Sequence, residues 1–246
     1  MTAMADANGG LNSLPASVRG SLEELRKGLV EALGDRLESV VVHGSSVRGD
    51  FEDGRSDVDV IVVLKDTSLD ALEALANPLA LARNSGRVET MILKAAEVAG
   101  AADVFPLFYD DVKACHFVLW GSDPFAPLEV SDAHRRLRIE QELREARIRM
   151  RRAVADGLGS DPVLAGTLQR KVRQLRSPLR ALLLLNGVKV GHGLSEILAA
   201  CGKRWSLATA SLEDVRPAPR DAHAIYRQLL DLAIDDVDRL QDGAHA

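Results

Sequence analysis

An α/β domain built on a small mixed sheet, followed by an all-helical bundle domain, is the fold class that this sequence predicts. Apolar, β-branched runs alternate with helix-period segments up to about residue 125, and after Pro127 the period becomes almost purely helical. Gly121, Pro124 and Pro127 punctuate the change. The predicted organisation is a loose N-terminus over 1–16, a mixed domain over 17–125 and a helical domain over 126–246. A chain of 246 residues, 46% hydrophobic and 27% charged, has enough apolar material for one large core or two modest ones.

The elements follow from periodicity. Ser21 and Glu24 have the spacing of a capping box, and Leu22, Leu25, Leu29 and Leu33 line one helical face before Gly34. Strands are predicted at 38–42, 58–64 and 87–93. Between the last two, Thr67 or Ser68 caps a helix carrying Leu69, Leu72, Ala76 and Leu79, which Pro78 should kink or split. A short helix over 104–111 leads to a strand over 115–120. In the second half, Ile139, Leu143, Ala146, Met150 and Ala153 define a buried stripe on a helix over 132–155, with Glu140 and Arg144 paired on another face. Further helices are predicted at 162–186, 195–201 and 219–241, with a loop over 203–218.

The chemistry concentrates at one place. Val40-Val41-Val42-His43 runs into a Gly44-Ser45 turn, and Asp57 and Asp59 open the following apolar run, Val58 to Leu64. Alternate side chains of a strand share a face, so the two carboxylates project together as a cation site. Gly44 lets the backbone approach a ligand, Ser45 adds a hydroxyl, and successive amides of such a turn form a concave nest for phosphate oxygens. Carboxylates repel a polyphosphate unless a divalent cation lies between them, so the pairing points to a metal-bound nucleotide or a similar phosphate substrate.

Gly44-Ser45, eleven intervening residues, then Asp57-Val58-Asp59 within hydrophobic strands resembles the signature of the DNA polymerase β-type nucleotidyltransferase superfamily. The phrase around it, with Arg48-Gly49-Asp50 and Ser56, is most similar to the small bacterial members, including aminoglycoside nucleotidyltransferases and minimal nucleotidyltransferases with helical partners. The specific part covers 38–64, with weaker similarity to about 125. The resemblance implies a third carboxylate on a later strand. Glu89 is its candidate, where many members carry Asp. It further implies that Asp57, Asp59 and Glu89 hold two Mg²⁺ ions while Gly44 and Ser45 seat the phosphates of ATP or another nucleoside triphosphate. An acceptor hydroxyl then attacks, a nucleoside monophosphate is transferred and pyrophosphate leaves.

Asp50, Glu52, Asp53 and Asp66 read as solvated loop acids, and Cys115 and Cys201 as buried or semi-buried thiols with no metal-binding spacing. His43 borders the turn, and Glu140, Glu142 and Glu145 are conceivable bases by analogy with aminoglycoside-modifying relatives. The net charge is −5, yet residues 134–180 hold thirteen Lys/Arg against five Asp/Glu. Either this is a solvated helix face or it meets an acidic partner or phosphate; the absence of interleaved aromatics argues against nucleic acid. No run is long and apolar enough for a membrane span, and the first residues lack a signal pattern, which predicts a cytoplasmic location. Three classes stay open: an enzyme that adenylylates a small molecule, an antitoxin-like adenylyltransferase acting on a protein partner, and a catalytically silent nucleotide-binding module.

Overall fold

The computed structural model describes residues 14–49, 51–54 and 56–242. The loose segment expected over 1–16 lies outside them as far as residue 13, as does Asp50. The chain divides into two compact units, one ending at Glu129 and the other beginning at Val130. No helix among the described residues is long and apolar enough to cross a membrane.

The first unit opens with α1 (Ala16–Leu33). This helix starts earlier than the Ser21 capping box predicts, because the apolar stripe continues upstream through buried Leu14 and Val18. Ser21 is therefore interior and buried, and its hydroxyl donates to the Ser17 carbonyl at 3.1 Å. Gly34, at φ 52°, ends the helix as the sequence implies. A 3₁₀ turn leads to β1 (Leu37–His43), then α2 (Ser45–Arg48), β2 (Val58–Leu64), α3 (Leu69–Ala74), α4 (Ala76–Gly86) and β3 (Val88–Lys94). The helix expected to bend at Pro78 is divided at Leu75, and Pro78 falls in the first turn of α4, where its missing N–H costs little. A short α5 (Ala95–Gly100), unforeseen in the sequence, precedes α6 (Pro106–Ala114) and β4 (His116–Gly121).

The strand order is β3-β2-β1-β4; β1 is antiparallel to β2 and β4, and β2 is parallel to β3. The sheet is thus small and mixed, as predicted. Val40 and Val42, Val58 to Leu64 at alternate positions, and Val88 form one buried face with the leucine stripe of α1. Val41, Ile61 and Val63 are wholly buried on the other face. Gly86 allows close approach of α1 and α4, since a Cβ there would stand 2.6 Å from the Ser21 Cβ.

The second unit is helical: α7 (Asp132–Asp156), α8 (Asp161–Gln174), α9 (Arg176–Leu185), α10 (Leu194–Trp205) and α11 (Pro219–Asp242). The single helix expected over 162–186 is two, joined at buried Leu175, with Pro178 in the first turn of α9. Of the stripe predicted on α7, Ile139, Leu143 and Met150 are buried, while Ala146 and Ala153 are only partly so. A polar knot ties α10 to α11: Arg204 donates to both oxygens of buried Asp236 at 2.7 and 2.8 Å, and Asn186 and Trp205 donate to the same carboxylate. Removing that carboxylate strands a guanidinium. Asp236→Ala is expected to cost about 3 kcal/mol, the lower end for a broken buried pair because Arg204 keeps some solvent, read as a lower urea midpoint.

Candidate active site

The turn after β1 is a single helical turn. Gly44 enters it at φ 79°, ψ −152°, a backbone geometry essentially reserved for glycine. Its carbonyl accepts from the Val47 and Arg48 amides at 3.3 and 3.1 Å, and the Ser46 hydroxyl donates to the His43 carbonyl at 2.9 Å. Ser45 and Ser46 occupy the first positions of this turn, where amides lack helical acceptors. A Cβ on Gly44 would lie 2.1 Å from Asp59 Oδ2. Turn and acid are therefore packed against each other with no room for a side chain between them.

Sheet register places the remaining groups. Asp59 pairs with His43 across the antiparallel ladder and with Glu89 across the parallel one, while His43 pairs in turn with His116. Glu89, Asp59, His43 and His116 thus form one transverse row over all four strands, and directly paired residues share a face. That face is opposite the one packed on α1, because Val58, Val60, Val42 and Val88 belong to the α1 core. The histidine end of the row is enclosed by aromatics: His43 meets Phe108 edge-on at 5.9 Å, and His116 meets Phe125 at 5.8 Å. His116 is further held by Asp123, at 3.1 Å from Nε2, and by the Val112 carbonyl, at 2.8 Å from Nδ1. Burial, then Arg48 and His116, push His43 down to about 4. It is a neutral ring at physiological pH.

Asp57 lies just before β2. Arg87 Nε donates to its Oδ1 at 3.0 Å, and Arg87 also donates to the Gly54 carbonyl at 2.6 Å, so this arginine clips the loop before β2 to the start of β3. Arg87 does so from a left-handed backbone, at φ 50°. Glu89 is exposed, with Arg83 at 3.8 Å. Among the described residues, no three His, Cys, Asp or Glu side chains are already gathered around one point. Even so, the set fits a hard divalent ion. Burial raises the Asp59 carboxyl above its ordinary value, and like charge from Asp57 and Glu89 adds to the rise against the opposing pull of Arg48. A cation beside it would relieve both penalties.

Most of the arginines of α7 are paired within the helix. Arg135 pairs with Asp132, Arg136 and Arg144 with Glu140, Arg138 with Glu142, and Arg149 with Glu145, all between 2.6 and 2.9 Å. Glu140, Glu142 and Glu145 are thereby engaged, and hydrogen bonds from Arg144 and Arg136 hold the Glu140 carboxyl below its usual range. That environment is the reverse of what a general base needs. The partners missed in the sequence are Arg87 and the His116 end of the row; neither has a local signature, since one depends on backbone hand and the other on strand order.

No curated protein matches the chain. Ten solved chains do. Among them is spectinomycin adenyltransferase AAD(9) from Enterococcus faecialis, solved with ATP and spectinomycin, at 12% identity and a TM-score of 0.46, over 89% of this chain and 98% of that one. The model of the family described as the nucleotidyltransferase domain matches residues 22–148, more than half of the chain, and the matched span holds Gly44, Ser45, Asp57, Asp59 and Glu89. The chain belongs to the nucleotidyltransferase domain family.

Proposed function

We propose that this nucleotidyltransferase transfers AMP from ATP to a hydroxyl acceptor with release of pyrophosphate, in a cytoplasmic setting. The observation that carries the reading is the contact of the side-chain-free turn at Gly44 with Asp59, with Glu89 in register beside it. Asp57, Asp59 and Glu89 would hold two Mg²⁺ ions, which supply charge stabilisation at the attacking and leaving oxygens. The amides and hydroxyl of Ser45 orient the phosphates, and Gly44 lets them come close to the backbone. Arg87 steers Asp57 and keeps the loop before β2 in place. His43, neutral and packed on Phe108, shapes the wall next to Asp59. Because sheet register sets Asp59 beside Glu89 and Arg87 holds Asp57 before substrate arrives, catalysis rests on placement of charge.

Two measurements test this. ATP with Mg²⁺ is expected to raise the melting temperature, a ligand at one hundred times its dissociation constant adding about 2.7 kcal/mol. The same rise in excess chelator would count against a metal-bound nucleotide. Glu89→Gln should lose most pyrophosphate release if Glu89 is the third ligand, and little if it serves only as a solvated edge residue paired with Arg83. Mass analysis of an extract incubated with the protein, ATP and Mg²⁺ identifies the acceptor as a small molecule or a protein by its added nucleoside monophosphate. Nucleotide binding without pyrophosphate release in any such mixture would replace the enzyme reading with that of a binding module.

A further inference from the structure

Within the helical unit, α7 and α11 enclose a cleft of ≈ 330 Å³ lined by Arg147, Arg151, His223, Tyr226, Arg227 and Asp231 over an apolar floor. Unlike the arginines earlier on α7, Arg151 and Arg227 form no ion pair among the described residues, and both are exposed. Arg147 is only loosely tied to Asp231, at 3.4 Å. Tyr226 is wholly buried, and its hydroxyl has no hydrogen-bond partner among the described residues. An unpaired buried hydroxyl costs stability, so its position calls for an acceptor. Three guanidiniums against one carboxylate leave two positive charges, which a phosphoryl dianion balances and a monocarboxylate does not. Guanidinium forks also match the geometry of such an oxyanion, and the volume suits a small ligand.

We infer that this cleft binds the phosphoryl group of a small phosphorylated ligand, with Arg151 and Arg227 as its main counter-charges and the Tyr226 hydroxyl as a donor. Burial, together with Arg227, lowers the His223 imidazole below its ordinary range, and His223 lines the same cleft as a further hydrogen-bonding group. The phosphoryl group comes either from a free phosphate or diphosphate or from a nucleotide. The site does not depend on nucleotidyl transfer at the sheet.

The experiment is isothermal titration of the full chain with inorganic phosphate, pyrophosphate and ATP, in four forms: unaltered, Arg151→Gln/Arg227→Gln, Tyr226→Phe and Asp59→Asn. The arginine double variant is expected to weaken binding by at least about ten-fold, as befits loss of charge-assisted hydrogen bonds. Tyr226→Phe is expected to weaken binding while raising the melting temperature; a purely structural hydroxyl would not give opposite signs. Binding of phosphate or pyrophosphate that survives in Asp59→Asn assigns the free anion as ligand. If only ATP binds, and the arginine variant weakens it, the phosphate belongs to a nucleotide. Unchanged affinity in the arginine variant, or no binding of any of the three anions, would overturn the inference, as would loss confined to Asp59→Asn.

Discussion

Asp57→Asn and Asp59→Asn are each expected to reduce pyrophosphate release and nucleotide transfer by at least about two to three orders of magnitude, since each removes a negative charge from the proposed metal site at constant size. The two variants should part company in stability. Burial holds the Asp59 carboxyl above its ordinary 3.8, so the folded state binds its proton more tightly than the unfolded chain does. Ionising such a group subtracts stability as pH rises above 3.8 toward the folded value. Asn carries no charge to desolvate. Asp59→Asn should therefore melt higher than the unaltered chain at pH 7 and lose that advantage below pH 3.8, whereas Asp57→Asn loses the ion pair with Arg87 and gains nothing. Paired activity and melting curves across pH check both signs; a folded double variant with full activity would remove the two-metal mechanism.

Gly44→Ala is expected to damage stability and activity together. The backbone at φ 79°, ψ −152° costs a side chain-bearing residue about 1–3 kcal/mol. The methyl would also stand 2.1 Å from Asp59 Oδ2, so the carboxylate must leave its place in the row. Moving one charged ligand of a metal site by an ångström or more is worth about two orders of magnitude in rate. Gly49→Ala makes the informative comparison: its φ of 88° is also left-handed, yet nothing lies within 4 Å of its Cβ. It should share the loss of stability and keep far more activity, as thermal melts and steady-state rates of the two variants would show.

What the sequence made legible was whatever repeats locally. Val58 to Leu64 is a continuous β-branched apolar run broken only by Asp59, so the strand follows from composition and the facing of Asp59 from its place between Val58 and Val60; Leu22 to Leu33 marks the covering helix by its period. Helix divisions were less visible. Leu75 and Leu175 keep the apolar stripe running through a break, so periodicity reads two helices as one, and only Pro78 and Pro178 hint otherwise. The excess of thirteen basic residues over five acidic ones on 134–180 does not say which are paired; acids four positions away draw Arg136, Arg138 and Arg149 into helix pairs. The capture of Asp57 by Arg87 was hidden altogether, because a left-handed arginine has no propensity that announces it.

The strand order also has a kinetic side. β1 and β2 are joined by one short excursion, so Gly44, His43 and Asp59 meet on closing a modest loop. Glu89 joins only when the α3–α4 crossover has folded back to lay β3 parallel to β2. His116 comes last in chain order, from a strand whose partner residues in β1 lie more than seventy positions earlier. Loop-closure entropy grows with such separations, and pairings of this range form slowly. The nascent chain is therefore expected to own the turn and its neighbouring acid well before it owns the full row, and a ribosome-bound fragment ending after β2 would carry half of the chemistry on a hairpin that cannot yet hold it rigid.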